Sequence, residues 1–117
     1  ECLDVAENIF LGRSIMKRRA GLPFIDWKKI YDEAAKLMER LKISVELKTM
    51  VSELSVAQKQ IIEIAKSISY SCKLMIMDEP SATLTERELA ILFDILKRLR
   101  EEGVTVIYIS HRLDEIF

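Results

Sequence analysis

The sequence predicts an α/β chain: a helical first part, then a strand–helix–strand piece of a parallel sheet. Three observations predict it. Apolar residues recur at three- and four-residue spacing through much of the first 70 residues. The pattern then changes to a short, wholly apolar run at Leu74–Met77 and a β-branched, apolar one at Val104–Ile109. Between these runs lies an amphipathic stretch with its own helix-start signal.

The elements follow in order. Asp4-x-x-Glu7 has the form of a capping box, and Gly12 is placed to end that short helix. Residues 13–25 hold Lys17-Arg18-Arg19, Gly21 and Pro23, and read as a basic loop. Asp26 caps a helix running to about Leu41, with Ile30, Ala34, Leu37, Met38 and Leu41 on one face. Trp27 and Tyr31 are one turn apart and are expected to pack. A third helix is expected from about Val56 to Ser69, with Ser55 as its N-cap and Ile61, Ile62, Ala65 and Ile68 facing the core.

The second part reads differently. Leu74–Met77 is expected to be a strand buried on both faces, ended by Pro80. Thr85-x-x-Glu88 opens a helix with Leu89, Leu92, Phe93, Leu96 and Leu99 on one stripe, and Gly103 stops it. The strand at Val104–Ile109 completes a βαβ unit with parallel strands and a right-handed crossover. Functional groups in such sheets gather at the carboxyl ends of the strands. Asp78-Glu79 and Ser110-His111 both sit there, on strands expected to be neighbours.

Composition excludes several classes. A chain of 117 residues with half its residues apolar is one domain at most. A net charge of −1 argues against a nucleic-acid binder, and Lys17-Arg18-Arg19 reads as a solvated loop. No apolar run approaches the roughly 20 residues that span a bilayer. Two cysteines, Cys2 and Cys72, are too few for a disulfide framework or a metal cluster. The abrupt ends at Glu1 and Phe117 read as cuts through a longer protein.

Three short segments carry chemistry. An Asp at the end of an apolar strand can orient the Mg²⁺ that bridges nucleotide phosphates, and the Glu that follows can accept a proton from water. The alternative is that Asp78 and Glu79 are two acids at the end of a buried strand. His111 is the sole histidine. It can contact a terminal phosphate, or it is a solvent-facing loop residue. Leu54-Ser55-Val56-Ala57-Gln58 precedes a helix, whose N-terminal N–H groups can bind an anion. The alternative there is a plain N-cap serine. No Gly-x-x-x-x-Gly-Lys-Ser/Thr phosphate loop occurs, and Gly12, Gly21 and Gly103 are the only glycines.

Taken together, these segments resemble ABC-type ATPases, and the resemblance covers nearly the whole chain. Leu54–Gln58 with the Lys59–Lys66 stretch is similar to the signature motif and its helix. Leu74–Glu79 is similar to the Walker B strand, 80–85 to the D-loop, and Ser110-His111 to the switch histidine. A closer resemblance, to bacterial monosaccharide importers of the ribose, galactose and xylose type, rests on Val5–Arg13, Leu54–Gln58, Leu84–Glu88 and Tyr108–Phe117. The departures are Val56 and Ala57 where the signature usually has two glycines, and Ala82 and Thr85 in the D-loop.

The resemblance implies a partial P-loop NTPase fold. Residues 1–70 would be the helical signature subdomain that docks on the permease, and 71–117 part of the RecA-like core. It implies ATP and Mg²⁺ as cofactors. Asp78 would orient the metal, Glu79 would polarise the water and His111 would contact the γ-phosphate. Ser55, Ala57 and Gln58 would serve the ATP of a partner cassette. The implied partners are a second cassette, transmembrane permease subunits and, indirectly, a sugar-binding protein. The implied location is the cytoplasmic face of the membrane. An open, apolar sheet edge is expected to make the chain self-associate. The rival readings are an ABC ATPase of DNA repair or translation, and a non-catalytic scaffold.

Phosphoryl transfer rests on positioning and on charge stabilisation at the phosphates, and the phosphate loop is absent here. The 117-residue chain alone is therefore expected to show no ATP turnover. Mg²⁺-dependent phosphate release that disappears in Glu79→Gln would contradict this.

Overall fold

The computed structural model describes residues 2–19, 21–80 and 84–111, with Arg19 described by its backbone alone. The chain forms two compact units, Glu1–Ser69 and Tyr70–Phe117. The D-loop positions 81–83 and the Arg112–Phe117 end of the importer-like segment lie outside the described residues.

The first unit is built on three helices: α1 (Val5–Ile9), α2 (Trp27–Leu41) and α3 (Val56–Ser69). The capping box on α1 forms as its sequence implies. Asp4 Oδ1 accepts from the Glu7 N–H at 2.9 Å, and Glu7 Oε2 accepts from the Asp4 N–H at 3.1 Å. The same Asp4 side chain is buried, and its Oδ2 accepts a hydrogen bond from the Tyr31 hydroxyl on α2. A third strand of contact comes from residues 47–51. Val5 and Ala6 N–H groups donate to the Thr49 and Leu47 carbonyls at 3.1 Å, and Val51 N–H donates to Leu3 O at 3.1 Å. Val5, Ala6 and Ile9 are fully buried against α2 and α3, with Ala34, Leu41 and Ala65 also at zero exposure. Burial of this kind contributes about 25 cal/mol per Å² of apolar surface, so this core dominates the unit's stability. Ser69 Oγ, at the end of α3, donates to Ile9 O at 3.1 Å and ties the last turn of α3 to the end of α1.

Residues 13–25 differ from the loop expected. Met16–Arg19 (β1) and Leu22–Ile25 (β2) pair as an antiparallel hairpin, in register Met16↔Ile25 through Arg19↔Leu22. Gly21, with φ near +82°, supplies the left-handed backbone its turn needs. Pro23 is accommodated because a two-stranded ribbon has free edges that need no N–H. Trp27 also departs from expectation. It heads α2 beyond the buried stripe and stays about half exposed. Asp26 caps α2 as predicted, accepting from Lys29 N–H at 3.3 Å. That backbone bond, with help from the Lys17 ammonium 3.4 Å away, holds its carboxyl below the usual range.

The second unit is β3 (Leu74–Asp78), α4 (Glu86–Glu101) and β4 (Thr105–Ile109). β3 and β4 are parallel neighbours, in register Leu74↔Thr105 through Asp78↔Ile109. Thr85 and Glu88 form the capping box at the start of α4, and Gly103 at φ +88° lies just past its end. Leu92, Ile95, Leu96 and Leu99 form its buried stripe. Phe93 meets Tyr108 of β4 with ring centroids 5.3 Å apart. The strands alternate instead of being buried on both faces. Met75 and Met77 are buried, while Leu74 and Ile76 are 52% and 63% exposed. One helix can cover one face of a two-stranded sheet, so only the even or the odd positions are shielded.

The Asp4 acceptor holds the Tyr31 phenol in its neutral form, and with partial burial it pushes that pKa up to about 12 from 10. A group whose folded pKa is raised contributes stability that is complete below pH 10 and lost between about pH 10 and 12. Ultraviolet titration should show one of the three tyrosines ionising near pH 12, and Tyr31→Phe should remove that component. In urea, Tyr31→Phe should cost about 1–3 kcal/mol, because it leaves a buried carboxylate oxygen without its donor.

Candidate functional site

The parallel pairing carries two chain ends to one place. β3 finishes at Asp78 opposite Ile109, the last residue of β4. The ladder runs one bond further, with Glu79 N–H donating to Ile109 O at 2.9 Å. Glu79 then takes a left-handed backbone, φ +47°, directly before Pro80. A residue before proline is normally driven to extended backbone, so this conformation is strained and is held by its surroundings. It aims the Glu79 side chain at the other strand end. Glu79 Oε1 lies 2.6 Å from His111 Nε2.

Neither group is sequestered: the histidine side chain is 85% exposed and the glutamate 44%. An exposed pair of this kind contributes little to stability, so its value lies in orientation. A carboxylate beside an imidazole N–H is a suitable proton acceptor whose direction is fixed. Asp78 is exposed at the same strand end. Its carboxylate is a hard oxygen donor, and Mg²⁺ takes one or two such groups while keeping several waters. Among the described residues no cluster of three or more His, Cys, Asp or Glu could cage a metal. Asp78 could supply one oxygen ligand to such a cation.

Ser55, Ala57 and Gln58 stand together in the other unit. Gln58 N–H donates to Ser55 Oγ at 3.2 Å, and Ser55 N–H donates to Gln58 Oε1 at 2.9 Å. This reciprocal cap was read from Ser55 alone; the glutamine at the third helical position is the signal that completes it. Ala57 is 6% exposed and faces the core, whereas Val56 is exposed. The small residue thus serves the packing of α3, and the exposed surface of this helix start is the Ser55 hydroxyl, Val56 and the Gln58 amide. The structure brings Asp78, Glu79 and His111 to one sheet end, and groups Ser55, Ala57 and Gln58 at one helix start.

The chain resembles known proteins over nearly its whole length. A family profile described as ABC transporter matches residues 2–82. The galactose/methyl galactoside import ATP-binding protein of Clostridium tetani is 46% identical over 113 residues, 97% of this chain and 22% of that protein. The ribose import ATP-binding protein of Caldanaerobacter subterraneus subsp. tengcongensis is 48% identical over 115 residues, 98% of this chain and 23% of that protein. The chain thus spans about a fifth of the length of these curated relatives. A solved ATP-binding cassette of an ABC transporter superposes with a TM-score of 0.78 at 26% identity, covering 97% of this chain and 47% of that one. An inward-facing metal-chelate type ABC transporter shares the fold, with a TM-score of 0.77 at 24% identity over 99% of this chain and 45% of that one.

Removing the cap at Ser55 should loosen the start of α3. Ser55→Ala is expected to cost about 1 kcal/mol in urea unfolding, while Ser55→Asp, which can still cap, should cost far less. Equal losses in the two variants would show that the hydroxyl does not cap.

Proposed function

Because this chain belongs to the ABC transporter family, we propose that it is part of the ATP-hydrolysing subunit of a monosaccharide importer. The observation that carries the reading is the Glu79–His111 contact at the paired ends of β3 and β4, beside Asp78. The similarity to galactose and ribose import ATP-binding proteins over nearly the whole chain supports the substrate class.

In this reading Glu79 is the proton acceptor. Its carboxylate takes a proton from the water that attacks the terminal phosphate of ATP. The strained backbone and the His111 contact hold that carboxylate in one direction. His111 is exposed and has a second ring nitrogen, so it can reach a phosphate oxygen while it remains beside Glu79. Asp78 would hold Mg²⁺, which when bound supplies charge neutralisation at the phosphates. The capped start of α3 would meet the nucleotide held by a second cassette, with Ser55 and Gln58 as polar contacts. The close packing of Ala57 keeps the α3 backbone rigid there.

The partners follow from the reading. A second cassette completes each nucleotide site, and permease subunits take the motion to the membrane. Among the described residues no helix is long and apolar enough to cross a membrane. The location proposed is the cytoplasmic face. The phosphate loop that such chemistry needs would be supplied from outside these 117 residues.

The test is hydrolysis by the intact subunit co-purified with its permease. Glu79→Gln should lower Mg-ATP turnover by at least about a hundredfold, as removal of a general base does, while ATP binding persists. Turnover within about tenfold of the parent would remove Glu79 from the mechanism.

A further inference from the structure

The β1–β2 hairpin plays no part in the site described above, yet it carries the most unusual surface of its unit. Leu22 and Phe24 project from one face of the ribbon and Met16 from the other, because the register places Lys17 opposite Phe24 and Met16 opposite Ile25. All three are about half exposed or more, and Trp27 at the base of the hairpin is equally open. With Pro23 and Ile25 they line a shallow apolar groove of about 800 Å³.

Charge sets this region apart as well. Between residues 13 and 29 there are six basic residues, Arg13, Lys17, Arg18, Arg19, Lys28 and Lys29, and a single acid, Asp26. The chain as a whole has a net charge of −1, so the residues outside this segment are net acidic. Lys17, which also lines the groove, lies 3.4 Å from Asp26, while Arg18, Lys28 and Lys29 are exposed.

We propose that the β1–β2 hairpin, with Trp27, is a contact surface for the anionic phospholipid headgroups of a bilayer. The proposal goes beyond the transport reading, and its test involves no nucleotide. Two observations favour lipid over a protein partner. A folded partner covers one face of a ribbon, whereas this ribbon carries apolar side chains on both faces, each with basic neighbours, as suits a soft anionic layer that closes around it. The combination of Trp and Phe with a basic fringe is also the composition of interfacial anchors, whose rings sit at headgroup level while Lys and Arg meet phosphates. An isolated two-stranded ribbon is marginally stable in water. Burial of its side chains in the headgroup layer would stabilise it.

Trp27 is the only tryptophan in the chain, which makes it a local reporter. The 117-residue chain is mixed with vesicles of phosphatidylcholine, with or without phosphatidylglycerol. Trp27 emission should move to the blue, and the chain should sediment, with the anionic vesicles only. Raising the salt should reverse both effects. Lys17→Gln with Arg18→Gln should lower the partition coefficient by roughly thirtyfold. Leu22→Ser with Phe24→Ser should abolish the spectral shift while the helical circular dichroism signal is kept. No shift on either vesicle, equal shifts on both, or full binding by the Gln pair would overturn the proposal. A shift that grows with protein concentration without vesicles would assign the groove to a second copy and overturn it too. So would a shift seen only on adding solubilised permease.

Discussion

The register of β3 against β4 is the constraint on which the candidate site depends. Asp78 lies opposite Ile109, and the Glu79 N–H still reaches the Ile109 carbonyl beyond the last paired residues. That bond fixes where β3 stops and where the chain must turn. A slip of one residue would turn Met75 and Met77 from the buried face onto the open one, so packing enforces the register. The same slip would part Glu79 from His111. Core packing on one side of the sheet and side-chain chemistry at its end are thus one requirement.

A comparable economy runs through the helical unit. Asp4 caps α1 with one carboxylate oxygen and takes the Tyr31 hydroxyl with the other, so a single buried side chain orients α1 and α2 together. The 47–51 segment closes on the same residues through backbone bonds. With Ser69 tied to Ile9, α1 is joined to α2 at its start and to α3 at its end. The rigidity matters for the proposed function, because the exposed cap of α3 can meet a partner's nucleotide only from a fixed platform.

Much of this was legible in the sequence, for identifiable reasons. The helices announced themselves through side-chain caps at Asp4, Asp26, Ser55 and Thr85, and the α2 stripe from Ile30 to Leu41 matches the buried set residue for residue. The neighbouring parallel strands and the shared end of Asp78-Glu79 and Ser110-His111 were also readable, because βαβ geometry leaves few choices. The hairpin was not. Met16-Lys17-Arg18-Arg19 has no apolar alternation, and Pro23 speaks against a strand, so only the Gly21 turn hinted at it. The burial of β3 was overestimated because an all-apolar run is equally consistent with two covered faces and with one. The left-handed backbone at Glu79 had no sequence signal at all; the local preference before Pro80 points the other way.

In the proposed reading, that unfavourable backbone would join Glu79 and His111 into one unit. A double-mutant cycle on single-turnover ATP hydrolysis by the intact subunit tests this most directly. If they act together, the Glu79→Gln, His111→Ala double variant should be scarcely slower than the slower single variant. Losses that multiply fully would show that the two residues act independently, and would contradict the account.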